Sequence, residues 1–180
     1  MGSVIYRKRF SDKSIAWIIV FAMYFVGAIT FLYFGLQPSV SSKDAYAAEA
    51  AASNGTLEIP TIDFSSPTTT VHLNGKNLEV PEQIVGSYSV HTNKTLLIGH
   101  SSTAFKNLSK ISLGQSVIFN NKTYIVSNID AREKSDISMK TILKAEEKDT
   151  IVLMTCAGEQ ISGNDYTHRL IVTAVEETAK

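Results

Sequence analysis

Thr150-Ile151-Val152-Leu153-Met154-Thr155-Cys156 decides how this chain is read. A β-prone apolar run of this length predicts a strand, and this one ends on the only cysteine among 180 residues. Residues 157–168 read as a polar loop, after which Arg169-Leu170-Ile171-Val172 opens another apolar strand on an arginine. Upstream, Leu96-Leu97-Ile98-Gly99-His100-Ser101-Ser102 brings a further strand to its end on a histidine. Three strand ends present a thiol, an imidazole and a guanidinium, the set that thiol-based acyl transfer needs.

Outward from these runs, strands are expected at Leu57–Ile62, Thr69–Leu73, Thr95–Gly99, Gln115–Asn120, Thr123–Ile129, Thr150–Thr155 and Arg169–Val175. The clearest hairpin lies between Gln115 and Ile129, with Asn120-Asn121-Lys122 as a polar turn. Ser102 to Lys110 reads as a short helical turn that packs Phe105 and Leu108 inward. Ser138 to Glu147 reads as a short helix with Met139, Ile142 and Leu143 on one side. Many short strands with few helices argue for a mainly β domain, a small barrel or sandwich. About 124 residues, 57–180, are enough for one compact domain with its own core.

The segments before it have different compositions. Ile15 to Leu36 carries no charge over 22 residues. At a rise of about 1.5 Å per residue such a helix spans roughly 33 Å, enough to cross a hydrocarbon core of about 30 Å. Arg7, Lys8, Arg9 and Lys13 precede it, which predicts a cytoplasmic segment 1–14, a transmembrane helix 15–36 and an exported remainder. A cleaved signal peptide competes through Ala45-Tyr46-Ala47, but the apolar run is too long for a signal h-region and the site lies too far beyond Leu36. Residues 37–56 are small, polar and Ala/Ser-rich and read as a flexible tether, in which Asp44 to Ala52 is a marginal helix.

Net charge is zero, yet four of the 17 basic and one of the 17 acidic side chains fall in residues 1–14, leaving 13 and 16 for the rest. No basic stripe interleaved with aromatics supports nucleic-acid binding. One cysteine excludes an internal disulfide and a thiolate-clustered metal site, and the four histidines show no metal-ligand spacing, so no metal is assigned.

Each candidate has a bland alternative. A free cysteine is commonly a buried filler, but Cys156 adjoins Ala157 and Gly158, which leave room for a substrate backbone, and is expected at the barrel rim. Arg169 is either a solvated strand-end cation or a group that holds a carbonyl and its oxyanion; it stays protonated and cannot serve as a base. His100 is either a hydrogen-bonded structural residue or an acid–base group, with Gly99 before it permitting an unusual backbone angle. His72 and His91 are expected to face solvent, and His168 to point away from Arg169 across the strand.

Together these residues resemble the sortases, membrane-anchored cysteine transpeptidases of mostly Gram-positive bacteria. The family's TLxTC signature is matched by Val152-Leu153-Met154-Thr155-Cys156, with valine in first position, and its G-H-S histidine by Gly99-His100-Ser101. Arg169 matches the arginine of the final strand, and Leu57-Glu58-Ile59-Pro60, Phe105-Lys106-Asn107-Leu108 and Gly114-Gln115 also fit. The resemblance covers about Leu57 to Val175. It implies a closed eight-stranded β-barrel, one strand more than those above, with the extra strand between Gly75 and Tyr88.

It also implies a mechanism in which Cys156 attacks the Thr–Gly bond of an LPxTG-like sorting signal on a secreted protein. His100 serves as acid and then base, Arg169 holds the signal and its oxyanion, and Thr155 offers a hydroxyl to the substrate. A cell-wall precursor or pilin amine then resolves the thioester. The absence of a C-terminal membrane helix and of an Asp-Pro-aromatic lid disfavours the pilus-polymerising type. Some members bind calcium through acidic loops; Glu133, Asp136, Glu146, Glu147 and Asp149 read instead as solvated surface, and no cofactor is assigned. Two other readings stay open: a thiol peptidase that hydrolyses the same acyl-enzyme, and a tethered, non-catalytic β-domain that binds surface partners with Cys156 buried and inert.

Overall fold

The computed structural model describes residue 23 and residues 41–74, 77–163 and 165–177. The segment 15–36, expected to span the membrane, lies outside this set apart from Met23. Among the described residues no helix is long and apolar enough to cross a membrane.

Helix α1 (Ser42–Ala51) is followed by strands β1 (Gly55–Ile59), β2 (Phe64–Thr70), β3 (Leu73–Asn74), β4 (Asn77–Leu78), β5 (Val85–His91), β6 (Lys94–Ile98), β7 (Ser116–Phe119) and β8 (Lys122–Glu133). Helix α2 (Met139–Ile142), β9 (Thr150–Ser162) and β10 (Asp165–Glu176) complete the order. Eight strands close a barrel in the order β1-β2-β5-β6-β9-β10-β8-β7, while β3 and β4 form a separate small ribbon. The parallel pairs are β2–β5 and β6–β9; every other pairing in the barrel is antiparallel.

The barrel and its strand count agree with the expectation, and the extra strand is β5. It starts inside the expected window but runs on to His91, because Ser89 and His91 pair with Thr95 and Lys94. Strand β2 begins earlier than expected, at Phe64, and passes through Pro67. A proline without an N–H is tolerated there because β5 joins β2 only from Thr68 onward. The β7–β8 turn falls where expected but is one residue shorter: Lys122 pairs with Phe119, and Asn120 and Asn121 both take positive φ, 48° and 65°. A two-residue loop with that geometry matches the twist of the strands it joins.

The helix expected over Ser138–Glu147 shortens to Met139–Ile142. Beyond it the chain is drawn to the start of β6, where Asn93 Nδ2 donates to the Glu146 carbonyl and buried Lys94 pairs with the Glu146 carboxylate at 2.9 Å. The turn after His100 does pack Phe105 and Leu108 into the core, 2% and 1% exposed.

Strand parity organises the packing. Along β9, Ile151 and Leu153 point into the barrel with Leu97, Val172 and Ala174. Val152 and Met154 point outward, where they join Leu96, Ile98 and Ile171 beneath Leu78, Val80, Met139, Ile142 and Leu143. These central strands are therefore apolar on both faces: one fills the barrel and the other is roofed by the β4 segment and α2.

Candidate active site

That outer face carries the site. Cys156 continues the outward series Val152, Met154, and Arg169 precedes outward Ile171 on β10. The two are direct cross-strand partners in the β9–β10 ladder. Opposed residues on one face of an antiparallel pair have Cβ atoms about 4.5–5.5 Å apart, so thiol and guanidinium start as neighbours. Parallel pairing of Ile98 with Met154 brings the end of β6 alongside. A pocket of about 240 Å³ is lined by Leu78, Val80, Ile98, Met154, Thr155, Cys156, His100, Gly99 and Arg169.

Cys156, His100 and Arg169, singled out in the sequence by their chemistry and by the sortase resemblance, line one pocket. Cys156 is half-exposed, not buried. Its position differs from the expected rim. β9 and β10 do not stop at Cys156 and Arg169 but run on as a ribbon to a turn at Gly163, and β8 likewise extends to Glu133. The residues expected to be a loop, Ala157 to Ser162, are mostly exposed strand. Backbone pairing holds this ribbon without burying side chains, so no apolar alternation marks it in the sequence.

Two glycines work differently from the expectation. Gly99 does not adopt positive φ among the described glycines. A Cβ there would stand 3.0 Å from Phe105 Cδ2 and 3.1 Å from Ala104 Cβ, so its role is to let the His100 turn pack closely. Gly158, at φ +79°, leaves its space to Thr167 and His168 of its own ribbon and not to a ligand. The Thr167 hydroxyl there accepts the Glu159 N–H at 3.0 Å and bonds His168 Nδ1 at 2.8 Å. His72 and His91 are exposed, as read.

Thr155 is an inward residue, 5% exposed, whose hydroxyl donates to the Gly99 carbonyl at 2.7 Å. That bond ties the strand bearing Cys156 to the peptide before His100. The His100 carbonyl accepts from Phe105 N–H at 2.9 Å and Thr103 N–H at 3.3 Å, which folds the following turn back under the histidine.

Arg169 is 18% exposed and firmly held. Nη1 donates to the carbonyls of Tyr166 (3.0 Å) and His168 (2.9 Å), and Nη2 to Asp165 Oδ1 at 3.3 Å. Asp165 in turn receives Lys134 Nζ at 2.8 Å. These donors, Lys134 first and Arg169 after it, hold the Asp165 carboxyl below its ordinary pKa of 3.8. Asp165 and Lys134 were not foreseen, because residues 157–168 read as a loop with no register to place Asp165 against Arg169. The apolar lining from Leu78 and Val80 was also missed, since the stretch between Gly75 and Tyr88 was expected to supply a barrel strand and not a pocket wall.

Among the described residues no group of three or more His, Cys, Asp or Glu side chains is placed to hold a metal ion. Of the acidic residues weighed for calcium, Glu146 pairs with Lys94 and Asp149 with Lys122.

A closed barrel thus carries a cysteine and an arginine in register on its outer wall, with a histidine from the neighbouring strand end on the same pocket lining. A family model, the sortase domain, matches residues 57–177. The chain belongs to the sortase family, the cysteine transpeptidases. Its fold is similar to that of a lid mutant of sortase A from Corynebacterium diphtheriae, at 25% identity and TM-score 0.54, covering 70% of each chain. It is similar also to sortase A of Listeria monocytogenes, at 16% identity and TM-score 0.53, covering 71% of this chain and 88% of that one. A pilus-related sortase C of Group B Streptococcus matches at 22% identity and TM-score 0.56, over 71% of this chain and 69% of that one. No curated protein sequence matches the chain.

Proposed function

We propose that this chain is a membrane-anchored sortase that cleaves an LPxTG-like sorting signal between Thr and Gly and passes the acyl group to an amine. Residues 15–36 anchor it, with the basic N-terminus in the cytoplasm and the barrel outside. In this scheme Cys156 Sγ attacks the threonyl carbonyl carbon while Arg169 stabilises the negative charge that gathers on its oxygen. The C–N bond breaks as His100 gives a proton to the glycine amine, leaving a thioester. An incoming amine from a cell-wall precursor or a pilin lysine gives its proton to His100, attacks the thioester and releases the Cys156 thiolate.

The observation that carries this reading is the shared pocket: Cys156 and Arg169 in cross-strand register, with His100 on the same lining. The apolar walls Leu78, Val80, Ile98 and Met154 suit the leucine and proline side chains of such a signal. Thr155 contributes a wall, with its hydroxyl engaged by Gly99. No cofactor enters the scheme.

The test is mass spectrometry of the full chain in detergent micelles, with LPxTG-like peptides and oligoglycine. A thioester on Cys156 and an amine-ligated product, both absent from Cys156→Ala, are expected. A product that is only hydrolysed, at every amine concentration, would establish the peptidase reading in its place. A thiol inert to alkylation in the folded protein would establish the binding module.

A further inference from the structure

Helix α1 buries no residue fully, yet one of its side chains, Glu49, is hydrogen-bonded to the backbone leading into β5. The half-buried Glu49 carboxylate accepts three successive backbone N–H groups: Glu82 at 3.0 Å on Oε1, and Gln83 at 2.9 Å and Ile84 at 3.2 Å on Oε2. Three converging amides on one carboxylate form an anion cradle, and hydrogen bonds to an ionised acceptor are the strong kind.

The segment so gripped leads into the active site in two directions. Its upstream end carries Leu78 and Val80, which line the Cys156 pocket and pack on the outer face of β6 and β9. Its middle is tied to the His100 turn, since Thr103 Oγ1 donates to the Glu82 carbonyl at 2.5 Å while Thr103 N–H donates to the His100 carbonyl. Downstream, Ile84 is fully buried, so the segment cannot drift as a whole. The chain just past the end of α1 is moored at Ala52, whose carbonyl accepts the Thr69 hydroxyl at 3.3 Å, and at Asn54, whose N–H donates to the Thr68 carbonyl at 2.8 Å.

We propose that Glu49 is a positioning residue of this enzyme: through the amides of Glu82, Gln83 and Ile84 it sets the pocket wall formed by Leu78 and Val80, and through Glu82 it steadies the His100 turn. The region between anchor and barrel is then part of the peptide-binding apparatus and not only a spacer. Glu49 touches no reacting atom, so its loss acts on substrate capture more than on the chemical step. The statement about peptide rests on the sorting-signal reading above; the statement about the wall does not.

The experiment compares the full-length protein in detergent micelles with Glu49→Gln, which keeps the side-chain shape but turns one acceptor oxygen into a donor. Asp44→Asn, which removes the same charge from the same exposed helix, is the control. Amide hydrogen exchange at residues 82–84 is expected to quicken at least tenfold in Glu49→Gln and not in Asp44→Asn, with β9 unchanged. The KM for an LPxTG-like peptide is expected to rise about five- to tenfold with kcat nearly constant. Unchanged exchange at 82–84 would overturn the clamp. Faster exchange with unaltered KM, or an equal loss in kcat and KM, would overturn the positioning role. If no peptide is turned over by wild type, the sorting-signal reading fails and the wall is judged by alkylation of Cys156. The rate ratio of N-phenylmaleimide to iodoacetamide then shifts in Glu49→Gln, and an unshifted ratio sinks the proposal.

Discussion

Two ion triads flank the β8–β10 region, one near each end, and they are mirror images in charge. At the end remote from the thiol, Lys122 bridges two carboxylates, Asp149 at 2.7 Å and Glu176 at 3.2 Å. At the thiol end, Asp165 bridges two cations, Lys134 at 2.8 Å and Arg169 at 3.3 Å. One cation between two acids leaves a negative excess; one acid between two cations leaves a positive excess. Arg132, the β8 partner of Arg169, adds none, since it pairs with Asp130 at 2.5 Å. The remote triad ties the starts of β8 and β9 to the end of β10, whereas the thiol-end triad holds the Arg169 guanidinium in place through Asp165 and Lys134. Under the proposed function that guanidinium is the oxyanion's partner.

The sharpest way to break the comparison is to remove the cation at each end. Arg169→Ala is expected to lower kcat by about 10²–10³-fold, the loss typical of a missing oxyanion donor. Lys122→Ala is expected to lower the melting temperature and leave kcat unchanged. Steady-state kinetics and thermal unfolding of both variants decide it; a kinetic loss in Lys122→Ala would erase the distinction. Next in size is the inner face. Leu153 is fully buried in the barrel, so Leu153→Ala should cost about 2–5 kcal/mol in denaturant unfolding. The neighbouring Met154→Ala, on the pocket wall, is expected to act on peptide KM.

Smaller effects sharpen the contrast. Asp165→Asn removes the acid that holds Arg169 and should reduce kcat/KM by about two- to fivefold, as suits an exposed pair. Because its folded pKa is depressed, Asp165 contributes stability above its unfolded pKa of 3.8, and that contribution is lost as the pH falls through the lower folded value. The difference in melting temperature between wild type and Asp165→Asn is expected to stay constant from pH 8 to about pH 4 and to close below it.

At the remote end burial, with Asp149 beside it, pushes Tyr124 from 10.0 up to about 12. A raised phenol pKa stabilises the fold below pH 10, and the contribution is lost as the pH rises through 12. Absorbance at 295 nm should show a late phenolate step that Tyr124→Phe removes.

The apolar strands of the core were legible because burial leaves its mark on composition. Thr150–Thr155 reads as a strand since each residue has a packed face, and the Asn120–Asn121 turn reads as one because those side chains tolerate positive φ. The chemistry was legible for a different reason: a lone cysteine after Leu-Met-Thr and a histidine between glycine and serine are rare enough together to mark a family. What escaped was held by backbone alone. Residues 157–162 are strand because β10 lies alongside them, and their exposed side chains carry no sign of it.

By itself, then, the sequence determined a mainly β domain behind a long uncharged apolar segment, and its resemblance to the sortases singled out a closed barrel with Cys156, His100 and Arg169 as candidates for its chemistry. Local periodicity and residue type suffice for the first; the second needs the family's motifs. Only the tertiary structure decided that the thiol lies on the outer barrel wall, opposite Arg169, that Asp165 holds that arginine, and that Glu49 grips the segment behind the pocket wall. The place of the thiol depends on strand register, and the Glu49 grip on contacts more than 30 positions apart, as with Glu49 and Ile84. Asp165 meets Arg169 four residues on only because pairing makes 165–169 a strand. None of these is encoded in any local run of side chains.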